Sequence, residues 1–429
     1  MYLTTFRDIK RIGFVGTRFA GTDGVSLEAD KWDVVLRELG YKTFWFSGLS
    51  DRDPATSVVH PPAFFGTPEL RELHAKFFTL AARPPELSDL VERMKDDLKR
   101  QLRAFVERFS IDLLVVENAL AIPVHIPLGL AIAEFIAETE MPTIAHNHDF
   151  VWERERFRRS CVDDWLDAAF PPSARSIYHV TINSEARREL AWRKGIASVM
   201  IPNVHDFEAE PQGPDAYNGT LRAELGVKPG EILLLQPTRV IARKGIESSI
   251  ELASRMEQIG GLRVKILIAH PERDEGGEYF ERIKAYAKLL DVELLLRPDL
   301  FGTERGTRAD GGRRYSLWDA YARSDFVTYP STYEGFGNAF LEAVFHRKPV
   351  MVNRYAIFRQ DIEPAGFSVV AIDGYLHDEA AREVLALLAD PKRVEAMTSR
   401  NFELGRKYFS YDVLRRRLPF ILMNFGVVS

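Results

Sequence analysis

The chain is predicted to be an α/β protein made of two Rossmann-like sets of strands and helices laid end to end. Three observations lead there. Short β-branched or aliphatic runs alternate with longer segments of helical period, the pattern of parallel sheets with crossover helices. Twelve such runs fall into two groups of six. Between the groups lies HDFEAEPQGPDAYNGT at 205–220, a Pro-, Gly-, Asp- and Asn-rich stretch that reads as a linker. A length of 429 residues suits two large domains, at roughly 150 residues per domain.

In the first half the expected strands are RIGFVG (11–16), KTFWFS (42–47), DLLVVEN (112–118), PTIAHN (142–147), YHVTIN (178–183) and SVMIPN (198–203). The segment 61–110 interrupts them as a long helical insert whose charged run ERMKDDLKR reads as a solvated face. In the second half they are EILLLQPT (231–238), RVKILIAH (263–270), VELLLRPD (292–299), SDFVTYP (324–330), KPVMVNR (348–354) and FSVVAI (367–372). Helical segments fill the gaps.

Apolar residues at 46% and charged residues at 28% give an ordinary globular composition, and a net charge of -5 argues against a general nucleic-acid coat. The single cysteine, Cys161, has no internal disulfide partner and no metal-ligand spacing around it, which fits a reducing compartment. Charges break up the N-terminal stretch before an export signal can form, and the longest apolar runs are strand-sized rather than the ~20 residues a bilayer needs. The expectation is a soluble, cytoplasmic protein.

Ligands of open parallel sheets sit beyond the carboxyl ends of the strands, so the residues after each strand carry the chemistry. Gly16, Gly21 and Gly24 follow the first strand; they form either a tight turn or a backbone cradle for phosphate at a helix start. Their spacing is not G-x-G-x-x-G, which disfavours a nicotinamide enzyme. Arg239 and Lys244 lie in a strand-to-helix loop where both charges converge on one anion, with Arg243 as a competitor. The stretch YPSTYEGFGNAFLEAVF puts Glu334 in a loop and Glu342 one turn into a helix starting near Asn338, whose apolar stripe is Phe340, Leu341, Val344 and Phe345. A carboxylate accepts two hydrogen bonds, so Glu342 suits the paired hydroxyls of a ribose and Glu334 those of a sugar. The glycines between them admit close approach of a ligand to the backbone.

With EGFGNAFLE and PTRVIARKG, the chain resembles glycosyltransferase family 4, a retaining group with the two-domain GT-B architecture. The glutamates match its E-x7-E signature, and Arg239 with Lys244 match its basic pair. The glycine loop, TINSEARREL (181–190) and IPNVHDF (201–207) extend the likeness along most of the chain. The resemblance implies two Rossmann-like domains facing each other across a deep cleft: an acceptor domain at 1–208, a nucleotide-sugar domain at 209–405, and a final helix at 406–429 returning to the first. It implies a hexosyltransferase that takes a nucleoside diphosphate hexose as donor and retains the anomeric configuration by front-face attack, a phosphate oxygen taking the acceptor proton.

His146, at the end of the fourth strand, aligns with the histidine the family places against the donor sugar. Catalytic roles fall to His146, Arg239, Lys244 and Glu334. The donor side comprises Gly24, Arg239, Lys244, Glu334, Gly335, Phe336, Gly337, Asn338 and Glu342. The acceptor side comprises Thr22, Asn118, His148, Arg154 and Arg156, with Asp149 close by. The arginines at 154, 156, 158 and 159 are either a charged helix or a pocket for an anionic acceptor, a sugar phosphate or glycerate derivative. A lipid or polysaccharide acceptor at the envelope, with HAKFFTLAARPP (74–85) as its contact, is the second choice. Epimerase, phosphorylase and regulatory nucleotide-binding readings rank lower. Asp51 and Asp53 mimic the metal-binding D-x-D of the other glycosyltransferase fold in the wrong context, so neither metal nor cofactor is expected. His270 and Arg297 to Leu300 end strands where the base would lie; base, hexose and oligomeric state stay open.

Overall fold

The computed structural model describes residues 9–21, 23–269 and 277–425. It divides into two compact units, Met1–Asn203 together with Tyr411–Ser429, and Val204–Ser410. The boundaries differ by a few residues from 208/209 and 405/406. His205 bridges to Ser410 and its amide donates to the Phe409 carbonyl (2.8 Å), while Phe207 packs edge-on against Phe345 and Phe402. Those contacts draw 204–208 and 406–410 into the second unit.

The first unit runs β1 (Arg11–Val15), α1 (Gly24–Glu38), β2 (Lys42–Ser47), β3 (Ser57–Val59), α2 (Pro68–Thr79), α3 (Pro85–Phe109), β4 (Leu113–Glu117), α4 (Ile126–Thr139), β5 (Thr143–Asn147), α5 (Asp163–Ala169), β6 (Ile177–Thr181), α6 (Ser184–Lys194) and β7 (Ser198–Met200). The strands pair in parallel in the order β3-β2-β1-β4-β5-β6-β7. Both faces of this sheet are covered, which is why β4 and β5 are buried at every position. On one face, Val15, Phe46, Leu114, Val116 and Ala145 meet the α3 stripe Leu98, Leu102, Phe105 and Phe109 and the α4 residues Ile132 and Phe135. The charged run of α3 lies on its other side, with Lys95 and Lys99 paired to Glu134 and Glu138.

The second unit contains α7 (Leu221–Glu224), β8 (Ile232–Gln236), α8 (Ile246–Gly260), β9 (Val264–Ile268), α9 (Gly277–Leu289), β10 (Glu293–Leu296), β11 (Phe301–Gly302), β12 (Gly306–Thr307), β13 (Arg313–Ser316), α10 (Leu317–Arg323), β14 (Phe326–Tyr329), α11 (Asn338–Phe345), β15 (Val350–Asn353), β16 (Val370–Ile372), α12 (Asp378–Leu388) and α13 (Pro391–Phe409). Its main sheet is parallel in the order β10-β9-β8-β14-β15-β16. A last helix, α14 (Tyr411–Leu422), belongs to the first unit, where Arg415 Nε donates to Glu38 of α1 (2.9 Å).

The twelve expected strands all form. Strand β3 and the small sheet β11-β13-β12 were not foreseen, because segments of two to four residues carry too little apolar pattern to register. Nor is 205–220 a loose linker. Asp319 is fully buried and gathers Gln212, Asn218 Nδ2 (3.1 Å) and Arg305 (2.6 Å), while Arg305 also holds Asp215 (2.7 Å). These bonds strap the segment onto the second unit. No helix among the described residues is long and apolar enough to cross a membrane.

In each main sheet the strand order reverses at one place, between β1 and β4 in the first unit and between β8 and β14 in the second. Loops on either side of such a point diverge and leave a crevice beyond the carboxyl ends of the strands.

Candidate active site

In the second unit the reversal point is lined by the loops after β8 and β14. A buried polar network fixes them: Gln236 at the end of β8 donates to Thr238 (2.8 Å) and accepts from Ser249 of α8 (2.8 Å) and Thr328 of β14 (2.9 Å). The two loops are tied by the Thr332 amide donating to the Arg243 carbonyl (2.8 Å). Gly245, at φ +60°, lies so close that an added Cβ would stand 2.5 Å from the Pro330 carbonyl oxygen, which excludes any side chain there.

This frame brings Lys244 and Glu334 into direct ionic contact, both buried, with Arg243 donating to the second Glu334 oxygen (2.7 Å) and to the Tyr333 carbonyl (3.1 Å). Burial alone would raise the Glu334 carboxyl; the Lys244 and Arg243 charges outweigh it and hold the group down at about 2. Burial pulls Lys244 below the usual lysine range, against the pull of Glu334. Arg239 is half-buried in the same loop, close enough for its charge to bear on Lys244. Arg243, set aside in the sequence as a competitor, is thus a full member of the cluster.

Helix α11 begins at Asn338, with Gly337 rather than Asn338 in the capping position, at φ +141° and with no side-chain cap. A Cβ on Gly337 would collide with the Tyr355 hydroxyl, which donates to the Phe336 carbonyl (2.6 Å). Phe336, placed on the donor side, buries its ring edge-on against Phe409. Gly335 and Asn338 are half-buried in the turn. Glu342 is half-buried one turn inside α11 and accepts from the Tyr321 hydroxyl of α10 (3.0 Å), a partner the sequence did not suggest.

In the first unit β4 ends at Glu117 and β5 carries His146, register partners at the carboxyl edge of the sheet. Glu117 Oε2 accepts from His146 Nδ1 (2.9 Å) and His148 Nε2 (3.1 Å), all three buried. Trp32 of α1 stacks on the His146 ring at 4.3 Å between centroids. Burial would neutralise Glu117, yet the two imidazoles hold it down at about 2. Burial lowers His146, whereas for His148 the Glu117 hydrogen bond and charge, helped by Glu28 and Asp149, outweigh burial and raise it. Glu117 was missed in the sequence; its one signal was a carboxylate directly after the apolar run LLVV at 113–116.

Asn118, placed on the acceptor side, spends its side-chain carbonyl on the amides of His148 (2.9 Å) and Asp149 (3.1 Å), so it braces the loop after β5. Arg154 donates to Asp149 (2.7 Å), and Arg156 lies exposed over the Phe157 ring at 4.7 Å. The segment forms two 3-10 turns instead of a charged helix. Gly24 opens α1, whose first amides, Val25 and Ser26, already bond the Asp23 carboxylate, itself paired with Arg18. Asp51 bonds the Gly21 amide (2.9 Å) and Arg52, and Asp53 caps a local turn, which gives both residues of the D-x-D mimic structural work. Arg297 forks onto Asp299. Thr22 and His270 lie outside the described residues.

Comparison with known proteins places this geometry among relatives. Residues 309–403, which include both glutamates of α11 and its preceding loop, match the family described as glycosyl transferases group 1. The chain is 31% identical to mannosylglucosylglycerate synthase of Petrotoga mobilis, over 94% of this chain and 99% of the relative. It is also 31% identical to the enzyme of the same name from Thermotoga maritima, over 94% and 97%. Among solved structures, a glycosyltransferase from Rickettsia africae superposes with a TM-score of 0.65 at 12% identity, covering 98% of this chain and 99% of that one, a likeness of fold.

Proposed function

The chain belongs to the group 1 glycosyl transferases and is a hexosyltransferase of the GT-B fold class, and on that premise we propose that it moves a mannosyl unit from a nucleoside diphosphate mannose onto a glucosylated glycerate. Supporting the reading is the cluster at the reversal point of the second sheet, where three cationic side chains and a carboxylate share one loop frame. The two relatives of near-full coverage, both named for making mannosylglucosylglycerate, supply the sugar and the acceptor.

In this mechanism the donor diphosphate draws Lys244 and Arg243 off Glu334 and gathers Arg239 from the same loop. Their charges stabilise the negative charge that builds up as the anomeric C–O bond breaks, the largest expected contribution to rate. Glu334, released from its ion pairs, accepts from hexose hydroxyls, and Glu342, steadied by Tyr321, accepts from the ribose. The acceptor hydroxyl attacks from the face the diphosphate leaves: its oxygen bonds to the anomeric carbon, and its proton passes to the departing phosphate oxygen. The configuration is retained, and these three cations take the place a metal would fill. His146 accepts from the reacting sugar or acceptor, and Arg156, with His148 on the same loop, attracts the glycerate carboxylate. The reaction is assigned to the cytoplasm, where nucleotide sugars are made.

The test is product mass and nucleotide release from a matrix of UDP-, GDP- and ADP-linked mannose and glucose against glucosylglycerate, its phosphorylated form and glycerate. Turnover with mannose and glucosylglycerate is expected. Nucleotide release that ignores every acceptor, or isomerisation of the donor sugar without one, would overturn the proposal.

A further inference from the structure

Glu117 has no part in the transfer scheme above, yet it is the anion on which both histidines of the first unit converge. An ionised carboxylate only accepts, so the nitrogens facing it, His146 Nδ1 and His148 Nε2, carry protons. The opposite nitrogens, His146 Nε2 and His148 Nδ1, have no hydrogen-bond partner among the described residues. The His146 ring is held on two sides, by Trp32 at 4.3 Å and by the His148 ring at 4.4 Å, so it cannot turn over to exchange its nitrogens without leaving the stack. Two more carboxylates stand nearby, Glu28 bonded to Lys31 (2.6 Å) and Asp149 bonded to Arg154 (2.7 Å), each with a cation of its own.

We propose that Glu117 is a positioning residue for glycosyl transfer: it locks His146 in the tautomer whose bare Nε2 accepts a hydroxyl, and it commits Nε2 of His148 so that Nδ1 faces the acceptor. The inference rests on the transferase reading, in which His146 meets the sugar. A metal is the rival occupant, since Glu117, His146 and His148 place ligand atoms within 4.8 Å of one another. The carboxylate lies at hydrogen-bond distance from both rings, which suits shared protons.

Four readouts on the full-length protein, its zinc content among them, decide it. Glu117→Gln keeps the shape and removes the anion; kcat should fall about 100-fold, the scale of a misaligned catalytic group, with donor KM within twofold. If Glu117 acts through His146, adding Glu117→Gln to His146→Ala should cost nothing further. Nitrogen-15 spectra of histidine-labelled wild type, assigned by loss of signals in His146→Ala, should show His146 with Nδ1 protonated and Nε2 of the unprotonated type. Unchanged kcat in Glu117→Gln, multiplying losses in the double variant, a protonated Nε2, or one equivalent of zinc in the purified protein would each overturn the proposal. The spectra and metal content stand even if no acceptor turns over, which separates failure here from failure of the transferase reading.

Discussion

Lys244→Met isolates what one charge does inside the second unit. The Lys244 ammonium lies 5.9 Å from the centroid of the Tyr329 ring, and methionine preserves most of the side-chain volume while removing the cation from Glu334. In the intact protein Glu334 is held at about 2 against an ordinary 4.5, a gap of about 2.5 pH units or on the order of 3 kcal/mol. Because the folded value is depressed, that stability is present above pH 4.5 and is lost as the pH falls from there toward 2. With Lys244 gone, Glu334 keeps the partly solvated Arg243 as its ion-pair partner among the described residues, and the second unit should lose about 3 kcal/mol at pH 7. The deficit should shrink to under about 1 kcal/mol at pH 3, where Glu334 in the variant is protonated. Replacing both partners, Lys244→Met with Glu334→Leu, should recover most of the loss, since no buried charge is then stranded. Urea unfolding at both pH values, read by hydrogen-exchange pulses in β8 and β14, gives the free energies. A deficit equal at pH 7 and pH 3, or below about 1 kcal/mol at pH 7, would refute the electrostatic account of this pair.

Tyr321→Phe deletes the hydroxyl that bonds Glu342; donor KM should rise about five- to tenfold with kcat little changed, measured by initial rates. Gly245→Ala forces a Cβ against the Pro330 carbonyl at positive φ, and the second unit should lose at least about 2 kcal/mol in urea titration. Asp319→Asn leaves Arg305 facing an uncharged amide at a fully buried position; a loss of about 3 kcal/mol is expected, with earlier proteolysis in 205–220 as its signature.

Strand positions were legible because each parallel strand, covered on both faces, must be an unbroken apolar run, as ILLLQ and LLVVE show. Lys244 and Glu334 were legible as residues that had no reason to follow a buried strand. Their direct contact was not, since a pair 90 positions apart in sequence is joined only by the β8–β14 pairing. Glu117 escaped for the opposite reason: a polar residue ending a strand is commonplace, and only its register with His146 gives it meaning. One of the arginines after β5 has a local partner of its own. Arg154 answers a local acid, Asp149, that alternating charge in a linear string does not distinguish from an external anion. Tyr321 was passed over because a tyrosine in a linear string serves core and site alike, and only its bond to Glu342 gives it meaning.

The second unit is an insertion: it is continuous from Val204 to Ser410, whereas the first resumes at Tyr411. During synthesis, 204–410 therefore has every piece it needs before the neighbouring unit does. Until Tyr411–Leu422 emerges from the ribosome, α1 lacks its partner, and Val413, Leu414, Leu418, Ile421 and Leu422 have no surface to cover. A stop codon just after Ser410 would thus spare the later-starting unit and cripple the one that began first.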